Sequence, residues 1–234
     1  MMANADRKWV ETHILHDGDI QFYGNLLREI EGIGADAFWK EFRRIAQEYL
    51  TAGHQGTQMF HALVDATIER LVERDRRYGY PPPFCHKGCD NCCHELVYCT
   101  SAEAKGIQEF CQLKSIPIDH EKLQRQLDSV VFDSAGNHSG ATTWNDQPRG
   151  DQSCIFLDPQ EKCCQIWPVR PLVCRVHLAE GSDEFCTPHN GQENAQAKGI
   201  NYVELSYILS VVFTLHQDSI RKTMGRLLLN ENRS

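Results

Sequence analysis

The chain has 234 residues, 41% of them hydrophobic, which suffices for an ordinary buried core without disulfide staples. A formal net charge of −8 argues against a nucleic-acid backbone or an anionic membrane surface as the main partner. The opening residues lack the basic-then-apolar pattern of a secretory signal, and the most apolar late run, near residues 205–215, is far shorter than a membrane span. The expectation is a cytoplasmic protein whose thiols stay reduced. There, an odd count of 11 cysteines points to metal ligands rather than a paired disulfide framework.

The first third reads as amphipathic helices. Ile20, Tyr23, Leu27 and Ile30 recur at helical spacing, between a cap at Asp17 or Asp19 and the glycines Gly32 and Gly34. Phe38, Trp39, Phe42, Ile45, Ala46, Tyr49 and Leu50 predict a stronger helix that stops at Gly53. Phe60, Leu63, Val64, Ile68, Leu71 and Val72 predict a third, from near Thr57 to near Gly79. His61, Asp65 and Glu69 lie four residues apart on its polar side, a spacing that can bind a metal but more commonly marks a solvated stripe. Pro81-Pro82-Pro83 then ends the helix and holds the chain extended.

Residues 85–93 read C-H-K-G-C-D-N-C-C, and the rest of the chain is organised around them. Four cysteines, Cys85, Cys89, Cys92 and Cys93, fall within nine positions. Thiolates are soft ligands for zinc, iron–sulfur clusters and copper(I), and placing several on one loop lowers the entropy cost of gathering them round an ion. Lys87-Gly88 and Asp90-Asn91 are turn residues that let the sulfurs converge. His86 and His94 flank the group as weaker candidates.

Thr100-Ser101-Ala102-Glu103 has the form of a capping box, predicting a helix to about Leu113; Cys99 and Cys111 read as packing residues of these elements. Another helix is expected from near His120 to Val131. Residues 133–153, rich in Gly, Ser, Asn and Asp, read as a flexible cover over the metal region. A second cysteine group follows, with Cys154, Cys164 and Cys174 spaced ten residues apart and Cys163 beside the second of them. Arg170-Pro171 predicts an extended residue followed by a helix start, with Cys174 in the opening turn, where the helix dipole stabilises a thiolate. Arg170 and Arg175 are placed to offset thiolate charge, His177 is a second-tier ligand three residues after Cys174, and Cys186 can close a site. A final helical stretch runs from about Asn201 to Leu229.

Three blocks in order, C-x3-C-x2-C-C from Cys85, then Cys154-Ile155-Phe156-Leu157, then Cys164-Gln165-Ile166-Trp167 leading to Arg170-Pro171 and Cys174-Arg175, resemble the YkgJ-type cysteine-cluster family. Val97 to Ala104 looks like that family's segment after its first group. Trp167 stands where the family has tyrosine, and Cys163 is additional to its pattern. The resemblance covers about Phe84 to Cys186 and implies chelation of zinc or iron, with a distant link to proteins associated with lysine methylation of flagellin. The loop Cys85-x3-Cys89-x2-Cys92 also resembles that of radical S-adenosylmethionine enzymes, but Asn91 replaces the usual aromatic and no alternating strand–helix pattern follows.

The ligand set expected is Cys85, Cys89, Cys92, Cys93, Cys154, Cys164, Cys174 and Cys186, enough for two four-thiolate zinc sites or two iron–sulfur clusters. Adjacent Cys92 and Cys93 diverge too much to share one tetrahedral ion easily, which favours two metals, a polynuclear cluster, or one of the pair as a packing residue or reactive thiol. With the three-cysteine loop that leaves one iron open, this prefers iron, thiolate-bound or as a cluster, with zinc as the alternative. The expected architecture is mainly α, a single domain in which helices surround a loop-rich cysteine core with little β-structure. Its parts are N-terminal helices over 1–80, the metal region over 81–190 and C-terminal helices over 191–234. Function divides between an iron-dependent enzyme acting on a peptide or protein side chain, a zinc-stabilised interaction module, and a metal-handling protein. Oligomeric state stays open.

Overall fold

The computed structural model describes residues 5–13, 35–51, 57–83, 85, 88–132, 134, 138–180, 198–199, 202, 205, 208–209 and 223–230. The periodicity from Ile20 to Ile30, the candidate His86, the candidate ligand Cys186 and most of the stretch after Asn201 lie outside the described residues. The described residues are mainly α-helical, with a few two- to five-residue strands, as the periodicities require. The chain forms two compact units, residues 1–82 with 201–217, and residues 83–200 with 218–234.

In the first unit, α1 (Ala5–His13), α2 (Ala35–Thr51) and α3 (Thr57–Arg77) supply the framework. Both α2 and α3 match the expected spans. Trp39, Phe42, Ile45 and Ala46 from α2 bury against the unit's core with Met59, Phe60, Leu63, Val64 and Leu71 from α3. The sequence reading does not anticipate α1, because Val10 is its one wholly buried apolar residue. It is held instead by contacts outside hydropathy: Arg43 lies over the Trp9 ring at 5.4 Å and pairs with Asp6 at 3.0 Å. On α3, His61 is buried while Asp65 and Glu69 are exposed, so this row does not share one environment.

The second unit is built on α4 (Ser101–Lys114) and α5 (His120–Asp128), closed by α8 (Met224–Asn230). Thr100 caps α4 in a full capping box with Glu103, as the motif predicts. Ala104, Ile107, Cys111, Leu123, Phe156, Ile166, Met224 and Leu228 form the core, with Cys99 wholly buried among them. Both Cys99 and Cys111 are therefore packing residues. Helix α8 is tied in by Met224 N–H donating to Val97 O at 2.8 Å and by a bridge between Tyr98 and Thr223.

Helix α5 stops three residues earlier than expected. Val130-Val131-Phe132 is β-branched and aromatic, and it pairs as β1 (Val130–Phe132) with β2 (His138–Thr142) rather than prolonging the helix. The segment expected as a featureless cover thus carries a strand, and after it come a 3-10 turn at Trp144–Asp146 and the short helix α6 (Arg149–Gln152). Beyond it, β3 (Leu157–Asp158) pairs with β4 (Cys163–Cys164), α7 spans Leu172–Val176, and β5 (Ala179–Glu180) pairs with β6 (Lys198–Gly199).

Leu123 is 1% exposed at the centre of this core, whereas Leu113 on α4 is 77% exposed. Leu123→Ala is expected to cost about 2–5 kcal/mol of unfolding free energy and Leu113→Ala less than about 0.5, both read from denaturant titration.

Candidate metal centre

The first cysteine group turns back on itself in two steps. Gly88 adopts φ +92°, a conformation that side-chain-bearing residues rarely take, and Asn91–His94 then form a single 3-10 turn. Cys93 N–H donates to Asp90 O at 2.9 Å and Glu95 N–H to Cys92 O at 3.2 Å, fixing the two adjacent cysteines on that turn. Cys154 N–H donates to Cys93 O at 2.6 Å, so the second group starts in backbone contact with the first.

The 138–153 segment braces this turn. The buried Trp144 donates its indole N–H to His94 O at 2.9 Å, His94 Nδ1 lies 3.0 Å from Arg149 O, and Arg149 Nη2 donates to Asn91 Oδ1 at 3.3 Å. His94 is thus engaged with the brace. Cys164 comes from the β3–β4 hairpin, whose turn is set by Asp158 Oδ1 accepting from Gln160 N–H and Glu161 N–H, both at 2.9 Å. Phe156 and Ile166, both buried, anchor the two strands to the core. Cys174 sits on α7 after Arg170, which is extended at ψ 143° as its place before proline requires.

Electrostatics report how closely these sulfurs approach. The Cys93 thiol donates to the Cys92 sulfur, which pulls Cys92 down to about 6 and drives Cys93 strongly up. The assignment follows the surroundings: His177 and Arg170 favour charge on Cys92, while Cys154 and Cys164 disfavour it on Cys93. Burial pushes Cys154 up to about 12 and raises Cys85, Cys164 and Cys174, and the Cys92 charge raises all four further. Cys92 is therefore the hub, within the field of Cys85, Cys93, Cys154, Cys164 and Cys174. Cys89, half-buried, acts on Cys85 and receives the Asn91 amide at 3.9 Å.

Thiols from three separated segments influence one another: Cys92 acts on Cys85, Cys93, Cys154, Cys164 and Cys174, and Cys89 acts on Cys85. Cys163 registers only beside Cys164. Among the described residues, no three His, Cys, Asp or Glu side chains are gathered closely enough to hold an ion as they stand. The chemistry of the donor set nonetheless fits a thiophilic cation, because these candidates are soft sulfur ligands and most are partly buried.

The structure departs from the sequence reading at Cys174 and Arg175 and agrees with it at Arg170. Burial outweighs any helix-terminus effect at Cys174, whose helix is only five residues long. Arg170 does act on the cluster, favouring the charged forms of Cys92, Cys164 and Cys174, with its guanidinium 3.6 Å from the Trp167 ring centre. Arg175 has a scaffold role: it is 5% exposed, and it donates to Arg170 O at 3.1 Å and Pro168 O at 2.7 Å. Sequence reading misses Lys122, which donates to Ser153 Oγ at 2.6 Å and favours the charged form of Cys154. It lies in an amphipathic helix far from the motifs, and only its place on the first turn of α5 could have drawn attention.

Residues 84–196 match a family model described as "CxxCxxCC: Putative zinc- or iron-chelating domain", in agreement with the resemblance carried by the three blocks. Comparison with curated proteins and with solved structures returns no match to this chain.

With Cys92 lowered to about 6, its thiolate persists above that pH and is lost as pH falls through it. Alkylation of the Cys92–Cys93 pair in reduced, metal-free protein is expected to inflect near pH 6 rather than near the ordinary thiol value of 9.0. Peptide mass spectrometry across pH 5–10, the range that brackets both values, reads this directly. An inflection at the ordinary value would remove the shared proton.

Proposed function

We propose, for a chain whose residues 84–196 match the model of the CxxCxxCC zinc- or iron-chelating domain, that the protein holds iron on a thiolate centre. Cys85, Cys89, Cys92, Cys93, Cys154, Cys164 and Cys174 are its ligands, with Cys186 as the eighth. The observation that carries this reading is the Cys154 N–H bond to Cys93 O at 2.6 Å, which joins the two cysteine groups and alongside which thiols from three segments influence one another. Chance packing of free thiols does not explain it, because Cys99 and Cys111 show what packing cysteines look like here: buried among apolar side chains.

Iron is favoured over zinc. The sulfurs of Cys92 and Cys93 share a proton on one 3-10 turn and so do not diverge as their adjacency predicts. The preference rests instead on the number of thiolates, which exceeds the four that one tetrahedral ion takes and suits a polynuclear centre. Each thiol must lose its proton to bind. Arg170 and Lys122 favour that loss at Cys92, Cys164, Cys174 and Cys154. Bound iron would supply electron transfer or an open coordination position.

Exposure supports chemistry over a purely structural metal. Cys85 is exposed, His177 stands at the surface beside the field of Cys92, and Trp167 is 53% exposed. An accessible rim of this kind admits a peptide or protein side chain, which makes such a group the substrate class of an iron-dependent enzyme.

Elemental analysis with an absorption spectrum on protein purified without oxygen tests the metal. Brown protein with iron and acid-labile sulfide is the expected result; colourless protein with zinc alone would replace iron with a structural role. Cys89→Ser and Cys174→Ser are each expected to lose metal, whereas Cys111→Ser keeps it. Full retention of metal in the first two would remove the ligand set.

A further inference from the structure

Glu103 makes a contact that its place in a capping box does not require. Its side chain is 2% exposed. One carboxylate oxygen, Oε2, accepts from Thr100 N–H at 2.9 Å and from Thr100 Oγ1 at 3.3 Å, while Glu103 N–H donates to Thr100 Oγ1 at 3.1 Å. These bonds complete the N-terminus of α4. The other oxygen, Oε1, accepts from Leu172 N–H at 2.7 Å, a residue 69 positions later and wholly buried.

Leu172 is the first residue of α7, and Cys174 is two residues further along. Helix α7 has five residues, too few to hold a direction by its own hydrogen bonds. Pro171, at its N-cap, offers no side-chain hydrogen bond to the orphan N–H groups. Glu103 supplies that cap from another element. The same carboxylate thus fixes the opening of α4, which follows the first cysteine group through residues 94–99, and the opening of the helix that bears Cys174. Cys174 is in turn within the field of Cys92, Cys154 and Cys164.

We propose that Glu103 is a positioning residue for the metal centre: by accepting from both Thr100 and Leu172, it sets Cys174 against the sulfurs of the first cysteine group. The inference rests on Cys174 being a ligand. Charge and shape both matter to it. A carboxylate offers an acceptor to each helix start, whereas the amide of a glutamine offers one acceptor and turns a donor toward the other N–H. A buried N–H facing a donor moves away or goes unpaired, and α7 carries Cys174 with it.

The test uses cobalt(II) as the probe, added to the reduced full-length protein, with absorption in the thiolate-to-metal charge-transfer region read alongside affinity. Cys174→Ser should lose one thiolate's share of that absorption. Glu103→Gln should lose the same share and bind cobalt about 10–100-fold more weakly, the loss typical when a supporting shell is removed. Ile107→Ala, on the same helix and wholly buried, should lower the melting temperature and leave the cobalt spectrum unchanged. Should Glu103→Gln not fold, Glu103→Asp keeps the charge but is one methylene shorter, and should show the same spectral loss.

A folded Glu103 variant with the full wild-type spectrum and affinity overturns the proposal. So does an equal spectral loss in Ile107→Ala, which would make the effect one of general stability. An unchanged spectrum in Cys174→Ser is a separate failure: it removes the ligand assignment and takes this inference with it.

Discussion

The second unit depends on one electrostatic conflict. Partly buried thiols from three segments lie within one another's electrostatic influence, so each additional negative charge raises the energy of the others. Burial drives Cys154 and Cys174 toward the protonated form, and Arg170 and Lys122 offset only part of that. A soft cation held among the sulfurs would resolve the conflict more fully than these two partly buried cations do. Cys92 and Cys93 resolve it locally by sharing a proton.

The fold answers this conflict with a division of labour. Helices α4, α5 and α8 build an apolar base from Ala104, Ile107, Leu123, Met224 and Leu228. The sulfurs sit above it on short loops, turns and a two-residue hairpin, each pinned at one point: Trp144 to His94 O, Cys154 N–H to Cys93 O, Asp158 at the hairpin turn, Glu103 to Leu172 N–H. Loops carry the chemistry and the helices keep them in place.

Much of this was legible in the residues. Spacing alone marked α2 and α3, because their apolar positions recur at the helical period, and the Thr100–Glu103 signature gave the start of α4. The cysteine blocks marked the stretch that the family model matches, residues 84–196. What stayed hidden was held by contacts that leave no periodic trace. Helix α1 rests on Arg43 meeting Trp9 and Asp6 across 30 or more residues. The stretch before Cys154 read as loose cover because its Gly, Ser and Asn content masks Trp144, the single indole that brackets the cysteine turn. The capping box revealed half of what Glu103 does. Its second oxygen serves Leu172, and no local pattern announces a partner 69 residues away.

Helix α8 gives the unit an awkward order of events. Met224 bonds back to Val97, and Met224, Leu227 and Leu228 fill the core that Ile107, Leu123 and Phe156 begin. During synthesis the first cysteine loop emerges more than a hundred residues, and the helix bearing Cys174 50 residues, before the segment that closes the base beneath them. Contacts of such long sequence separation form late, since loop closure must come first. For that interval the sulfurs stand on an unfinished support, open to oxidants and to any thiophilic ion nearby. An ion of the kind this family chelates would therefore meet a different site before α8 has docked than after it, so timing as well as affinity would bear on which metal is held.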